Sequence, residues 1–328
     1  MLARRPRLLL LGTALAAVAL TACGGGSTPA SRITADPSAA AGNALPSSGG
    51  SGAVVIASAN FPENQILAEV YRQALAHAGY AATVKPLTTR PNIVAAIASD
   101  DVQVEPDYIG SLTEFLNREK NGPDAARVAT GELEATLAKA RDLAGPKGLT
   151  LLTPSPAQDQ NAYAVTRKFS TDNKVTKLSD LKGFAGPLVL GGTPECKTYF
   201  GCQPGLEKTY GLTFTGFEQT DLGGTLSVSK LKSGKVTLGE FLSSDGNVKA
   251  NDFVVLEDDL KLQPVDNVVP VLSKKVAGDK LLTDILEKVS AAMSTDDLIS
   301  LNAAVSIDRK LPAQAATDFL VGKGLTTA

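Results

Sequence analysis

The sequence predicts an α/β protein of two lobes, each a mixed sheet flanked by helices, with the second lobe inserted into the first and a hinge between them. Three observations carry this. Val54, Val55 and Ile56 form a β-branched run that turns at Asn60-Phe61-Pro62-Glu63 into an amphipathic helix ending near Gly79. The same alternation of short apolar runs and helical stretches restarts after the breaks at Pro154 and Pro156. Strand candidates at 254–256 and 268–272 then lead back to three closing helices, which need a sheet to cover. The boundaries that follow are 53–156 with 258–328 for the first lobe and 157–257 for the second.

Taken in order, the first unit continues with strands at 82–86 and 102–105 around a short helix at 91–98. Glu105 to Ser111 then reads as a second polar bend, followed by Leu112, Phe115 and Leu116 on one helical face. A helix at 131–143 and a strand at 149–152 close this half. The second unit shows strands at 163–166, 188–190, 214–217 and 236–241, with helices around 178–181, 205–210 and 223–231. The three final helices fall at 279–293, 295–305 and 312–321. Bends at the carboxyl ends of strands are where open α/β sheets bind ligands, so the two bends are expected to face one cleft.

With 328 residues and 43% hydrophobic content the chain can bury a large core. Its 32 Lys and Arg nearly balance its 34 Asp and Glu, so no basic face recommends nucleic acid and no acidic tail is present. The single histidine, His77, falls late in the first helix, away from any serine or cysteine nucleophile signature. No metal-ligand cluster and no phosphate loop is found, so neither metal nor cofactor is expected.

Residues 1–22 read as an export signal: Arg4, Arg5 and Arg7 precede an apolar run at 8–20 that is short for a bilayer span. Leu20-Thr21-Ala22-Cys23 matches the bacterial lipobox, which marks Cys23 for lipidation. Acyl chains would anchor the protein on the outer face of the cell membrane, at about 0.8 kcal/mol per buried methylene. Residues 23–52, rich in Gly, Ser, Ala and Pro, are expected to be a flexible leash. With Cys23 lipidated, Cys196 and Cys202 remain, and in an oxidising compartment a disulfide between them is the natural reading.

Several motifs then converge. Ser58-Ala59-Asn60-Phe61-Pro62-Glu63, Glu105-Pro106-Asp107-Tyr108-Ile109-Gly110-Ser111, and Pro194-Glu195-Cys196 through Pro204-Gly205-Leu206 occur in that order. They are followed by Tyr210-Gly211-Leu212, Ser244-Asp245-Gly246, Val255-Leu256-Glu257-Asp258-Asp259 and Asn267-Val268-Val269-Pro270. In this order and spacing the chain resembles the glycine betaine, carnitine and choline substrate-binding lipoproteins of osmoprotectant ABC importers, actinobacterial members in particular. The resemblance implies a type II periplasmic-binding-protein-like fold and a monomer that closes on a small solute. It also implies docking on a membrane permease.

In that family tyrosines cage a quaternary ammonium, while a lysine, an arginine and a threonine hold a carboxylate. The resemblance places Tyr108 at a cage position and Ser111 at the threonine. Ala59 stands where relatives have the lysine, and Tyr199 where they have the arginine. Asn161, Phe241 and Asp266 fall at the remaining cage positions, with Asn60, Phe61 and Glu105 at the bends. Without those cations a betaine carboxylate would be buried unpaired, at a cost of several kcal/mol. Glycine betaine is therefore not the expected ligand; a choline-like cation and a neutral polyol or sugar both remain. Against these stands an enzyme using Glu105 with Asp107, or Asp258 with Asp259, as acid and base. Only the proximity of those carboxylates favours it, so no catalysis is expected.

Overall fold

A computed structural model describes residues 44–327. The proposed signal, Cys23 and the first part of the leash lie outside these residues. The chain runs β1 (Ala53–Ser58), α1 (Pro62–His77), β2 (Ala81–Pro86), α2 (Arg90–Ala98), β3 (Val104–Tyr108), α3 (Ile109–Asn121), α4 (Leu133–Ala144) and β4 (Leu149–Leu151). It continues with β5 (Asn161–Thr166), α5 (Arg167–Asn173), β6 (Val189–Gly192), α6 (Gln203–Tyr210), β7 (Gly216–Gln219), α7 (Thr225–Lys232), β8 (Leu238–Leu242), α8 (Gly246–Ala250) and β9 (Phe253–Leu256). The return is made by β10 (Val268–Ser273), α9 (Lys280–Ala292), α10 (Thr295–Ser306) and α11 (Pro312–Gly322).

The strands form two five-stranded mixed sheets, ordered β2-β1-β3-β10-β4 and β7-β6-β8-β5-β9. Each has three parallel strands, β2-β1-β3 or β7-β6-β8, continued by antiparallel partners. The predicted fold class is thus found. Two antiparallel crossings connect the sheets: Gln158 bridges Asn267, and the Asp159 amide donates to the Asp266 carbonyl at 3.1 Å.

Burial explains the layers. On one face of the first sheet α1, α9, α10 and α11 bury Ile66, Leu67, Val70, Leu286, Val289 and Phe319. On the other, α2, α3 and α4 bury Ile93, Ile97, Leu112, Leu116 and Ala140. Both faces are covered, so the strands read as apolar runs rather than alternating ones. Local capping sets the helix starts: Pro62 fixes φ at the first turn of α1, Asp279 accepts the Leu282 amide, and Ser294 and Asp297 form a reciprocal capping box.

Three expectations are corrected. The leash does not run to residue 52: Leu45 is buried in the core and donates its amide to the Leu325 carbonyl at 2.8 Å, and the Gly50 amide donates to the Ala78 carbonyl. Glu105 is not at a bend, because β3 runs through to Tyr108 with every residue buried. Pro106 interrupted the sequence signal, but it faces Pro270 of β10 and breaks neither strand. The expected helix near 178–181 is a 3₁₀ turn at Leu178–Gly183, and α5, capped by the Thr166 hydroxyl, was missed.

Candidate functional site

A cleft of about 520 Å³ lies where the ends of β3 and β8 meet the two crossings. Its first wall is set by the bend after β1. Asn64 accepts the Ala59 amide at 2.6 Å and donates to the Pro106 carbonyl at 2.7 Å, tying the bend to β3. This leaves Phe61 40% exposed in the cleft, its ring centroid 6.2 Å from that of Tyr108. The Tyr108 hydroxyl donates to Glu63 at 2.6 Å, and the second oxygen of Glu63 accepts from Asn302. Asn302 also donates to the Ser244 carbonyl at 2.9 Å, so the aromatic wall is held from both lobes. Burial, and then the Glu63 and Asp159 charges, push the Tyr108 hydroxyl well above its usual value.

The floor is acidic because the crossings pair. Asp266 accepts the Gly110 and Ser111 amides at 2.8 and 2.9 Å and the Ser111 hydroxyl at 2.6 Å, which fills the positive end of α3 with the protein's own carboxylate. Burial raises its carboxyl to about 6, against the lowering effect of the Ser111 bonds. Asp159, half-buried where the cleft meets a neighbouring cavity, accepts from the Ser244 hydroxyl at 2.7 Å. Burial and the Glu63 charge push it well above the ordinary carboxylate range. Among the described residues no basic side chain pairs with it.

Of the nine expected ligand residues, Phe61, Tyr108, Ser111, Asn161, Tyr199 and Asp266 line this cleft. Asn161 donates to Glu240 at 3.3 Å, and Tyr199 is 41% exposed on the loop closed by the Cys196–Cys202 disulfide. Three are corrected. Asn60 is exposed and is not among the residues that line this cleft; Asn64 makes the hydrogen bonds that shape the bend. Glu105 lies inside the sheet, where burial drives its carboxyl well up. Phe241 points to the opposite face of β8, fully buried against Phe253 at 5.8 Å, and its neighbour Leu242 takes the cleft position. Period-two alternation moves a side chain to the other face on a one-residue error.

The two cations that the resemblance expects are replaced by Ala59 and Tyr199, yet other cations, Arg90, Arg118 and Arg127, line the cleft. Arg90 is held by Asp107 at 2.7 Å, and Arg127 lies over the Tyr199 ring at 5.7 Å. Arg118 was legible: Ser111, Glu114 and Arg118 follow the spacing of one helical face. Asp159 and Arg127, in segments without periodicity, gave no such signal.

The carboxylate pairs weighed for catalysis are spent on local structure. Asp107 holds Arg90, Asp258 accepts the Leu262 and Gln263 amides, and Asp259 accepts the Ser179 hydroxyl.

Residues 52–321 match the family described as the substrate-binding domain of ABC-type glycine betaine transport systems. The chain belongs to this family. Among its relatives, the glycine betaine-binding protein YehZ of Escherichia coli K12 is 26% identical over 275 residues, covering 80% of this chain and 88% of that protein. A glycine-betaine-binding protein of Pseudomonas aeruginosa is 27% identical over 280 residues, 79% and 84% of the two chains. Among solved structures, a glycine betaine/carnitine/choline ABC transporter protein superposes with a TM-score of 0.73 at 21% identity, over 82% of this chain and 98% of that one. Apo YehZ of E. coli gives 0.72 at 25% identity, over 83% and 98%. Family membership makes the chain a substrate-binding protein of an osmolyte-type ABC transporter, and the relatives are solute-binding proteins rather than enzymes.

Proposed function

We propose that this chain is the lipid-anchored, extracytoplasmic receptor of an ABC importer, and that it captures a quaternary-amine cation between its lobes and delivers it to a membrane permease. One observation carries the ligand reading: Asp159, a desolvated carboxylate without a basic partner among the described residues, shares the cleft with Phe61, Tyr108 and Tyr199. A soft cation answers both features, through cation–π attraction of about 0.5 to 2 kcal/mol per ring and through the unpaired charge. Betaine is less suited. The seat that a helix N-terminus offers a carboxylate is filled by Asp266, so a zwitterion's acid would have to reach Arg118 or Arg127 at the rim.

Isothermal titration of the lipid-free protein tests this. Choline is expected to bind at least tenfold more tightly than glycine betaine, a difference of about 1.4 kcal/mol. Tighter glycine betaine binding, or binding of a neutral polyol alone, would overturn it. The anchor is tested separately: labelled fatty acid should enter the wild type, and Cys23→Ser should abolish labelling and release the protein from the membrane.

A further inference from the structure

We infer that Glu114 is a positioning residue that sets the contact between the two lobes across the mouth of the cleft. That contact is Arg127 over Tyr199, with the guanidinium carbon 5.7 Å from the ring centroid. Arg127 belongs to the connection between α3 and α4, on the first lobe. Tyr199 belongs to the loop between β6 and α6, on the second. Both side chains are exposed, and no carboxylate pairs with Arg127 among the described residues. A long, solvated arginine over a ring contributes only if its backbone is held in place.

On the tyrosine side the backbone is fixed by the disulfide, by the Tyr199 amide on the Glu195 carbonyl at 2.8 Å, and by Tyr163 and Gln263, which both donate to the Gly201 carbonyl. On the arginine side the connection has no regular structure; its far end is tied by the Thr130 carbonyl, which accepts the Val265 amide at 2.9 Å, and the turn at Arg127 itself is held by Glu114. One oxygen of this carboxylate accepts the Val128 and Ala129 amides, both at 2.7 Å, directly after Arg127. Asn117 supports the same turn by donating to the Ala126 carbonyl at 2.9 Å. Glu114 is only 7% exposed and its second oxygen is buried without a hydrogen-bond partner among the described residues. A carboxylate so placed is costly unless its charge-assisted bonds are needed, and here both go to the backbone that carries Arg127. Glu114 therefore acts on the opposite lobe through Arg127, and thereby on how long the cleft stays closed.

The effect on solute release rests on the solute-receptor reading; the lobe contact itself does not. Hydrogen–deuterium exchange on the solute-free protein tests the contact directly. Glu114→Ala should speed exchange at the 128 and 129 amides and also, about two- to fivefold, across residues 198–202 of the other lobe. Arg127→Ala should speed exchange at 198–202 alone. Glu114→Gln, which keeps the accepting oxygen, should restore the wild-type pattern. If Glu114→Ala alters only 128 and 129, or Arg127→Ala leaves 198–202 unchanged, the inference is overturned. Release of preloaded choline should quicken by a similar factor in Glu114→Ala and Arg127→Ala, and the double variant should be no faster than either. Failure of the wild type to bind choline would sink the ligand reading while leaving the exchange result to decide the contact.

Discussion

Ser111 donates its hydroxyl to Asp266 across 2.6 Å while the same carboxylate takes the Gly110 and Ser111 amides, so one acidic residue of a crossing caps the helix that brings Ser111, Glu114 and Arg118 to the cleft. Burial nevertheless holds the Asp266 carboxyl at about 6, above its ordinary value. A folded-state value above the unfolded one contributes stability that is complete below about pH 4 and is lost as pH rises through about 6. The stability of the wild type minus that of Asp266→Asn should therefore fall between pH 4 and 7, by roughly 1 to 3 kcal/mol. Urea unfolding at pH 4, 5, 6 and 7 measures it. A difference that does not change with pH would rule out the raised value.

The same junction explains Gly110. A Cβ there would come within 2.3 Å of the Val265 carbonyl oxygen, so the helix can approach the crossing this closely only without a side chain. Gly110→Ala should cost about 1 to 3 kcal/mol, as overpacking does elsewhere, and should weaken solute binding by displacing Ser111. Equilibrium unfolding at unchanged denaturant slope checks the first; full wild-type stability would refute it.

Such junctions show where sequence reading reached and where it stopped. The strand-bend-helix at Val54 to His77, the restart of the pattern after Pro156 and the closing helices were legible because burial imposes a period on them. Tyr108, Ser111 and Asp266 were placed through the family resemblance, and the structure brings all three to the cleft. Phe241 failed on strand parity, and Glu105 failed because Pro106 and the polar residues after it read as a bend, whereas β3 runs through them to Tyr108. Asp159 and Arg127 carry no local signature, since each reaches the cleft through pairings made far along the chain.

Asp159 offers the most direct test of ligand charge. Asp159→Asn keeps the shape and the Ser244 contact but removes the charge. Affinity for choline should drop at least tenfold, about 1.4 kcal/mol, while a neutral polyol should bind no worse. The same logic gives the pH dependence: because the carboxyl is raised, choline affinity in the wild type should fall as the medium is acidified through that value, and the fall should flatten in the variant. Titration calorimetry across pH with both ligands measures this. Equal losses for cation and polyol would mean that Asp159 acts by shape alone.

The disulfide separates stability from binding. Cys196 and Cys202 are six apart in sequence and close a loop that includes Tyr199. On the chain-entropy account so short a loop contributes roughly 2 kcal/mol, and that contribution should disappear in the Cys196→Ser/Cys202→Ser double variant. Binding should suffer less. The Gly201 carbonyl is still gripped by Tyr163 at 2.6 Å and by Gln263, and these anchors come from β5 and from the second crossing rather than from the bridge. Choline affinity should accordingly fall by less than about fivefold, below 1 kcal/mol. Unfolding curves and titrations on the same preparations check both numbers. A tenfold or greater loss of affinity with unchanged stability would reverse the assignment, making the bridge the element that positions Tyr199 and the two hydrogen bonds secondary.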